Sequence, residues 1–161
     1  MIFDCDVHQG DGTAKILEKN NDIFTCSIHC KNNFPARKAK SDLDVELEDN
    51  LDSHQYLKIL NQTLERCMNL FNPEFVLYDA GVDIHLNDEL GKLKVDDAGL
   101  IKRMKLSYSS LKVYLFQLLQ LLVEVTQKIR LNLQRDTLVF LKQLKIYSCL
   151  LYTSDAADEE R

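Results

Sequence analysis

The stretch FDCDVHQGDG, residues 3–12, constrains the fold more than any other part of the sequence. Side chains on a β-strand point to alternate faces with a period of two residues, and here apolar and polar side chains alternate at that period. The apolar set is Phe3, Cys5 and Val7, and the polar set is Asp4, Asp6 and His8. The pattern predicts a strand with one buried face and a row of possible ligands on the other.

The remaining pattern up to residue 103 is typical of an α/β protein. Apolar runs predict strands over 2–7, 23–28 and 75–79, and apolar residues at spacings of three and four predict a helix over 54–71. Ser53 is predicted to cap this helix, Pro73 to stop it, and a shorter helix is predicted over 96–103. Strands separated by helices predict a mainly parallel sheet.

Composition excludes several classes of function. The chain has 161 residues, enough for one domain, and its 20 basic and 25 acidic residues give a net charge of -5. No Lys/Arg cluster is dense enough for nucleic acid, so no nucleic-acid partner is expected. The Leu-rich segment over 111–133 is too polar for a membrane span, and no signal peptide is visible at the start. Five cysteines without framework spacing predict reduced thiols and a cytoplasmic location.

Two carboxylates and one imidazole can bind a divalent metal and leave positions open for water and substrate. Asp6 and His8 are two residues apart, and Asp83 follows the predicted strand over 75–79, where open α/β sheets place their ligand sites. These residues predict a catalytic metal site. The alternative from spacing alone is a solvated strand end.

Three motifs, in order, resemble those of the zinc-dependent histone deacetylase family. They are FDCDVHQGDGTA, then TCSIH with NFP, then YDAGVDIHLNDELG, and they lie within residues 2–103. The resemblance is to class IV and bacterial members, and it implies an arginase/deacetylase-like three-layer α/β fold. It also implies a zinc-dependent hydrolase that removes acetyl or other acyl groups from lysine or a related amine.

The resemblance implies a role for seven residues of this sequence. The implied zinc ligands are Asp6, His8 and Asp83. Asp4 and Ser27 match residues that bind a monovalent cation such as potassium, and Asp4 also matches the aspartate that orients a catalytic histidine. Asp11 matches the aspartate paired with the other catalytic histidine. Phe34 matches an aromatic wall of the channel that receives the acylated amine.

The family's catalytic residues are absent from this sequence. The family carries a histidine pair in a GxHH motif and a tyrosine in a GGGY loop, and this chain contains neither motif. The chain is therefore expected to be inactive. A non-catalytic fragment is one alternative, and a two-manganese arginase-like ureohydrolase is another. The ureohydrolase needs a DxD pattern at the later aspartate, where this chain has Asp83-Ile84-His85.

The sequence after residue 103 differs from the part before it, because all five glycines and both prolines precede that point. A shift of one base allows LFQLLQLLVEVTQK, residues 115–128, to be read as IPVATVIGGGYTK, which resembles the missing strand and tyrosine loop of the family. The segment SCLLYTSDAADE resembles a translated sequencing adapter. We expect residues 1–103 to be part of a deacetylase domain, 104–147 to be out of frame, and 148–161 to derive from an adapter.

Overall fold

A computed structural model describes residues 1–111, all of which fall within one compact unit. The elements in chain order are β1 (Ile2–Asp4), α1 (Asp11–Leu17), β2 (Thr25–Cys30), β3 (Leu43–Leu47), α2 (Ser53–Leu70), β4 (Leu77–Asp79) and α3 (Asp97–Leu111). Three segments named above lie mostly or wholly outside the described residues. They are the segment predicted to be out of frame, which is described only to residue 111, the Leu-rich segment, of which only residue 111 is described, and the whole predicted adapter segment.

The four strands form one parallel sheet in the order β3-β2-β1-β4. Strand β1 lies between β2 and β4, and its last residue, Asp4, is opposite Ser27 on one side and Asp79 on the other. The predicted mainly parallel α/β fold is confirmed. The carboxyl ends of β1 and β4 therefore meet at one edge of the sheet, although most of the described chain separates them in sequence.

Strand β1 is shorter than the predicted span of 2–7, because its ladder ends at Asp4. The Asp4 Oδ1 atom accepts a hydrogen bond from the Asp6 backbone N–H at 2.9 Å. Such a local side-chain bond competes with the strand ladder. The alternation in burial nevertheless continues past the strand, since Phe3, Cys5 and Val7 are all 0% exposed.

Strand β3 was not among the strands predicted from apolar runs, because acidic residues interrupt its sequence. The structure has a strand at Leu43–Leu47, paired along β2. Both terminal leucines are buried, whereas Glu46 is exposed. The acidic side chains alternate with the apolar ones, which is the pattern of a half-buried strand.

Helix α2 is capped by Asp52 and not by Ser53, so the predicted cap is displaced by one residue. The Asp52 carboxylate accepts from the Gln55 backbone N–H at 2.8 Å, and the Gln55 side chain accepts from the Asp52 N–H at 3.2 Å. This reciprocal pair is a capping box. The Ser53 hydroxyl instead donates to Asp96 Oδ1 at 2.7 Å, which links the start of α2 to the segment before α3.

Helix α3 runs to Leu111, well beyond the predicted end at residue 103. Its sequence after Arg103 contains no glycine or proline, so nothing in it stops the helix. The helix packs against α2. No helix within residues 1–111 is both long and apolar enough to cross a bilayer.

Candidate metal centre

Three side chains converge beyond the carboxyl ends of β1 and β4. The His8 Nδ1 atom lies 3.0 Å from Asp6 Oδ1 and 2.9 Å from Asp83 Oδ2. One ligand atom from each residue lies within 4.8 Å of the others, and among residues 1–111 this is the one such cluster of His, Cys, Asp and Glu side chains. The structure brings together the same three residues that were predicted as metal ligands from the sequence.

Two connecting segments carry these residues. Asp6 and His8 lie in the segment after β1, and not on the strand itself, whereas Asp83 lies in the segment after β4. The His8 N–H donates to Asp6 Oδ1 at 2.8 Å, and the Val7 N–H donates to Asp83 Oδ1 at 2.9 Å. The main chain of one segment thus orients both carboxylates.

Burial and mutual contact shift the pKa values of all three groups. Burial raises the pKa of Asp83 to about 6; the nearby Asp6 adds to the increase, and the hydrogen bond with His8 opposes it. Hydrogen bonds to Asp6 and Asp83 raise the pKa of His8 to about 10. Burial acts to raise the pKa of Asp6, but hydrogen bonds with His8 and Asp83 outweigh it and lower the pKa.

This donor set fits a divalent cation. An imidazole proton on Nδ1 can be donated well to only one of the two carboxylates, although both Asp6 and Asp83 lie within hydrogen-bond distance. The two carboxylates favour positive charge between them, since they raise the pKa of the imidazole. Two carboxylates and one imidazole nitrogen are ligands that zinc and similar ions accept.

Asp4 and Ser27, the predicted ligands of a monovalent cation, are adjacent across β1 and β2. Asp4 is 8% exposed, and burial raises the pKa of its carboxyl group. The Ser27 Oγ atom lies 3.0 Å from His29 Nδ1, so its described polar contact is with His29 and not with Asp4. Cation binding by these two residues stays a prediction.

Asp11 and Phe34, the other two predicted site residues, lie near the surface. The Asp11 carboxylate pairs with Lys15 Nζ at 3.0 Å within α1. The Phe34 side chain is 71% exposed, and its backbone carbonyl accepts from the Gln9 N–H at 3.3 Å, one residue after His8. The Phe34 backbone is thus hydrogen-bonded to the segment that carries two of the three converging residues.

Two glycines lie against the backbone of converging residues. A Cβ atom on Gly81 would lie 2.8 Å from Asp6 Cα and would overlap the Asp6 carboxylate. A Cβ on Gly91 would overlap the backbone carbonyl of Asp83. Both glycines therefore allow neighbouring segments to pack directly against the converging residues.

The sequence pattern did not predict the polar contacts of two buried side chains, those of His85 and Arg103. The His85 Nε2 atom lies 3.0 Å from Asp97 Oδ1, so this ring contacts α3 and not the cluster. Arg103 is 1% exposed, and its guanidinium group contacts the two segments that carry the converging residues. No local pattern in the sequence indicates these contacts.

Comparison with known proteins gives one family. The family model described as "Histone deacetylase domain" matches residues 1–122. An uncharacterized protein from Picosynechococcus sp. is 48% identical over 110 residues, which are 68% of this chain and 37% of that protein. Histone deacetylase 2 from Arabidopsis thaliana is 34% identical over 106 residues, 64% of this chain and 27% of that protein.

The fold is similar to that of a solved structure. The crystal structure of an HDAC homolog from Aquifex aeolicus matches with a TM-score of 0.62 and 22% identity, over 68% of this chain and 33% of that one. At this level of identity the likeness concerns the fold alone. The chain spans about a third of the length of the proteins that it matches.

Proposed function

The chain belongs to the histone deacetylase family, and on that premise we propose that its residues 1–111 form the metal-binding part of a zinc-dependent amide hydrolase. The observation that carries the proposal is the convergence of His8 Nδ1 with Asp6 Oδ1 and Asp83 Oδ2 at 3.0 and 2.9 Å. The proposed substrate is an acetylated or otherwise acylated lysine, or a related amine.

Asp6, His8 and Asp83 would hold the zinc ion. When bound there, zinc would supply Lewis acidity for polarising an amide carbonyl and acidifying water. The main chain fixes the ligands, because the N–H groups of Val7 and His8 donate to Asp83 and Asp6. Fixed ligands of this kind keep their orientation without reorganisation during a reaction.

Phe34 supports the proposed class of substrate. Its ring is 71% exposed and is joined through its carbonyl to Gln9, the residue after His8. An exposed aromatic ring of this kind can contact the aliphatic part of an acylated lysine whose amide reaches the metal. Asp4 and Ser27 are proposed to bind potassium or a similar cation behind this centre.

A two-manganese ureohydrolase is the weaker alternative. That site needs a second carboxylate two residues after Asp83, and position 85 is a histidine. The Nε2 atom of His85 is engaged by Asp97 at 3.0 Å. This contact supports a site for one metal ion.

The location and the activity of the 161-residue chain are further parts of the proposal. Cys5, Cys26, Cys30 and Cys67 are buried free thiols, which supports a reducing cytoplasmic environment. The sequence contains neither an adjacent histidine pair nor three consecutive glycines. We therefore expect this chain to bind zinc without hydrolysing an acetylated peptide.

Metal titration together with an activity assay tests the proposal. Zinc or manganese is added to the purified chain in competition with a chromophoric chelator, and release of acetate from an acetyl-lysine peptide is measured in parallel. One zinc ion per chain and no acetate release are expected. Two manganese ions per chain would favour the ureohydrolase, whereas zinc-dependent acetate release would contradict the expected inactivity. Absence of zinc binding would overturn the metal centre.

A further inference from the structure

Arg103, in the middle of α3, is the largest fully buried side chain among the described residues and is 1% exposed. Burying a guanidinium ion costs free energy unless its donors are satisfied. Within residues 1–111 no carboxylate forms an ion pair with it; its described bonds go to backbone carbonyls. The buried guanidinium group thus binds main-chain carbonyls, and the residues that carry these carbonyls explain why it is buried here.

The carbonyl groups come from the two segments that carry the converging residues. Arg103 Nη1 donates to Gly81 O at 2.6 Å and approaches Cys5 O at 3.4 Å, and Nη2 donates to Ala80 O at 3.0 Å. Cys5 immediately precedes Asp6 in the chain. The other two residues lie just before Asp83.

The same two segments also touch each other on the side of the metal centre. Gly81 packs so closely on Asp6 that a Cβ atom there would lie 2.8 Å from Asp6 Cα. The Val7 N–H donates to Asp83 Oδ1 at 2.9 Å. Arg103 therefore links α3 to the segment after β1 and to the segment after β4, and so holds together the main chain that carries the proposed ligands.

We propose that Arg103 is a positioning residue of the metal centre, and that its guanidinium group fixes the main chain on which Asp6 and Asp83 converge. This inference rests on the proposed function, because the metal ion is the ligand whose site is positioned. The planar guanidinium group has five N–H donors and can hold several carbonyls at once. A lysine ammonium group has a compact charge and no such fork, so Arg103→Lys preserves charge without preserving the geometry.

The test uses the 161-residue chain and four variants. Arg103→Lys and Arg103→Met remove the fork, and Lys102→Met is the matched control because Lys102 is the exposed neighbour on the same helix. Leu60→Ala, in the core on α2, controls for a general loss of stability. The readouts are zinc affinity by chelator competition, the visible spectrum of the cobalt-substituted protein, and hydrogen exchange of the metal-free protein over residues 5–8 and 80–84.

Both Arg103 variants are expected to bind zinc about 10- to 100-fold more weakly, as is typical when groups that orient metal ligands are lost. Their cobalt spectra should change, and hydrogen exchange in the two segments should accelerate by about tenfold. Lys102→Met should match the wild type in every readout. Leu60→Ala should unfold more easily while keeping the zinc affinity of its folded form.

The proposal would be overturned if Arg103→Lys had the zinc affinity, the cobalt spectrum and the hydrogen exchange of the wild type. It would also be overturned if Leu60→Ala lost as much zinc affinity as the Arg103 variants. If neither Arg103 variant folds, NMR of the wild type decides the matter: the Arg103 guanidinium signals should shift when zinc is added, and unchanged signals would overturn the proposal. If the wild type binds no zinc, the proposed function is overturned. Hydrogen exchange of the metal-free protein then tests by itself whether Arg103 fixes the two segments.

Discussion

His8 Nδ1 lies 2.9 Å from Asp83 Oδ2, although 75 positions separate the two residues in the chain. Parallel pairing of β1 with β4 explains this approach, because Asp4 and Asp79 are paired at the ends of the two strands. Each segment then leaves the sheet at the same edge, where open α/β sheets bind their ligands. The candidate metal centre is therefore a consequence of strand order as much as of the local motif.

The first prediction concerns the three converging side chains. Asp83→Asn removes one of the proposed carboxylate ligands, and His8→Ala removes the imidazole nitrogen that lies close to both carboxylates. Each change is expected to weaken zinc binding by at least about 100-fold, because a site of three protein ligands loses one of them. Chelator competition at fixed pH measures the effect.

Asp22→Asn is the matched control for the carboxylate change. Asp22 is exposed and lies away from the segments that carry the three residues. Its variant should bind zinc like the wild type. Equal zinc affinity in Asp83→Asn and the wild type would show that this carboxylate is not a ligand.

The second prediction compares two glycine-to-alanine changes. At Gly81 a Cβ atom would overlap Asp6, whereas at Gly12 nothing lies within 4 Å of the added atom. Gly81→Ala is expected to displace Asp6 and reduce zinc affinity, because backbone and carboxylate would both have to move. Gly12→Ala, within α1, should raise the free energy of unfolding by about 0.5–1 kcal/mol, since alanine favours a helix.

Thermal unfolding and zinc titration of both variants measure these effects. The expected difference in zinc affinity follows from the space around each glycine, whereas the gain in stability at Gly12 follows from helix propensity. A Gly81→Ala variant with unchanged zinc affinity would contradict the close packing of this residue on Asp6.

The third prediction concerns the start of α2. Asp52→Ala removes the side chain that accepts from the Gln55 N–H at 2.8 Å. The free energy of unfolding should fall by about 1 kcal/mol, the usual effect of losing an N-terminal cap. Urea denaturation followed by circular dichroism measures it. Asp22→Asn, which alters an exposed aspartate outside α2, should leave the midpoint unchanged, and an equal fall in both variants would argue against the cap.

The fold class and the closeness of Asp6 to His8 could be predicted from the sequence because both depend on short-range patterns. Alternation in residues 3–8 predicted the buried set, which is fully buried even where β1 has ended. The end of β1 itself could not be predicted, since it depends on the bond between Asp4 and the Asp6 N–H. Strand β3 was missed because acidic composition outweighed its alternation of apolar and polar residues.

Long-range contacts account for the rest. Arg103 contacts Cys5 from 98 positions away, and no local pattern indicates such a bond. The pairing of His85 with Asp97 likewise depends on where α3 packs. Periodicity predicts which face of an element is buried, whereas it does not identify the carbonyls or carboxylates that a buried polar side chain will meet.

The fourth prediction concerns the nucleotide sequence that encodes residues 122–126. If a one-base shift separates this segment from the family's reading frame, the third bases of the codons for Leu122, Val123, Glu124 and Val125 are G, G, G and T. These bases spell GGT, GGA, GGT and TAC in the neighbouring frame, which encode Gly-Gly-Gly-Tyr. Sequencing the gene tests this directly, and any other third base at the first three codons would remove a glycine and contradict the shift.

The fifth prediction concerns the pH dependence of stability at His29. The ring is 0% exposed, its Nδ1 atom lies 3.0 Å from Ser27 Oγ, and its Nε2 atom has no hydrogen-bond partner among the described residues. Burial lowers the pKa of His29, and nearby Lys38 acts in the same direction, while Asp44 and Glu46 on β3 oppose the shift. The folded protein therefore keeps this ring neutral at pH values where the unfolded chain binds a proton.

Stability linked to His29 is consequently present above about pH 6.5, the ordinary histidine pKa, and is lost as the pH falls below it. As the pH falls from 6.5 to 5, the free energy of unfolding should decrease less steeply in His29→Asn than in the wild type. The two slopes should differ by up to about 1.4 kcal/mol per pH unit, the linkage limit for one proton. Urea denaturation at several pH values measures the slope. His54→Asn is the matched control, because His54 is exposed to water on α2. If the slopes of His29→Asn and the wild type were equal, the neutral buried ring would not contribute to acid sensitivity.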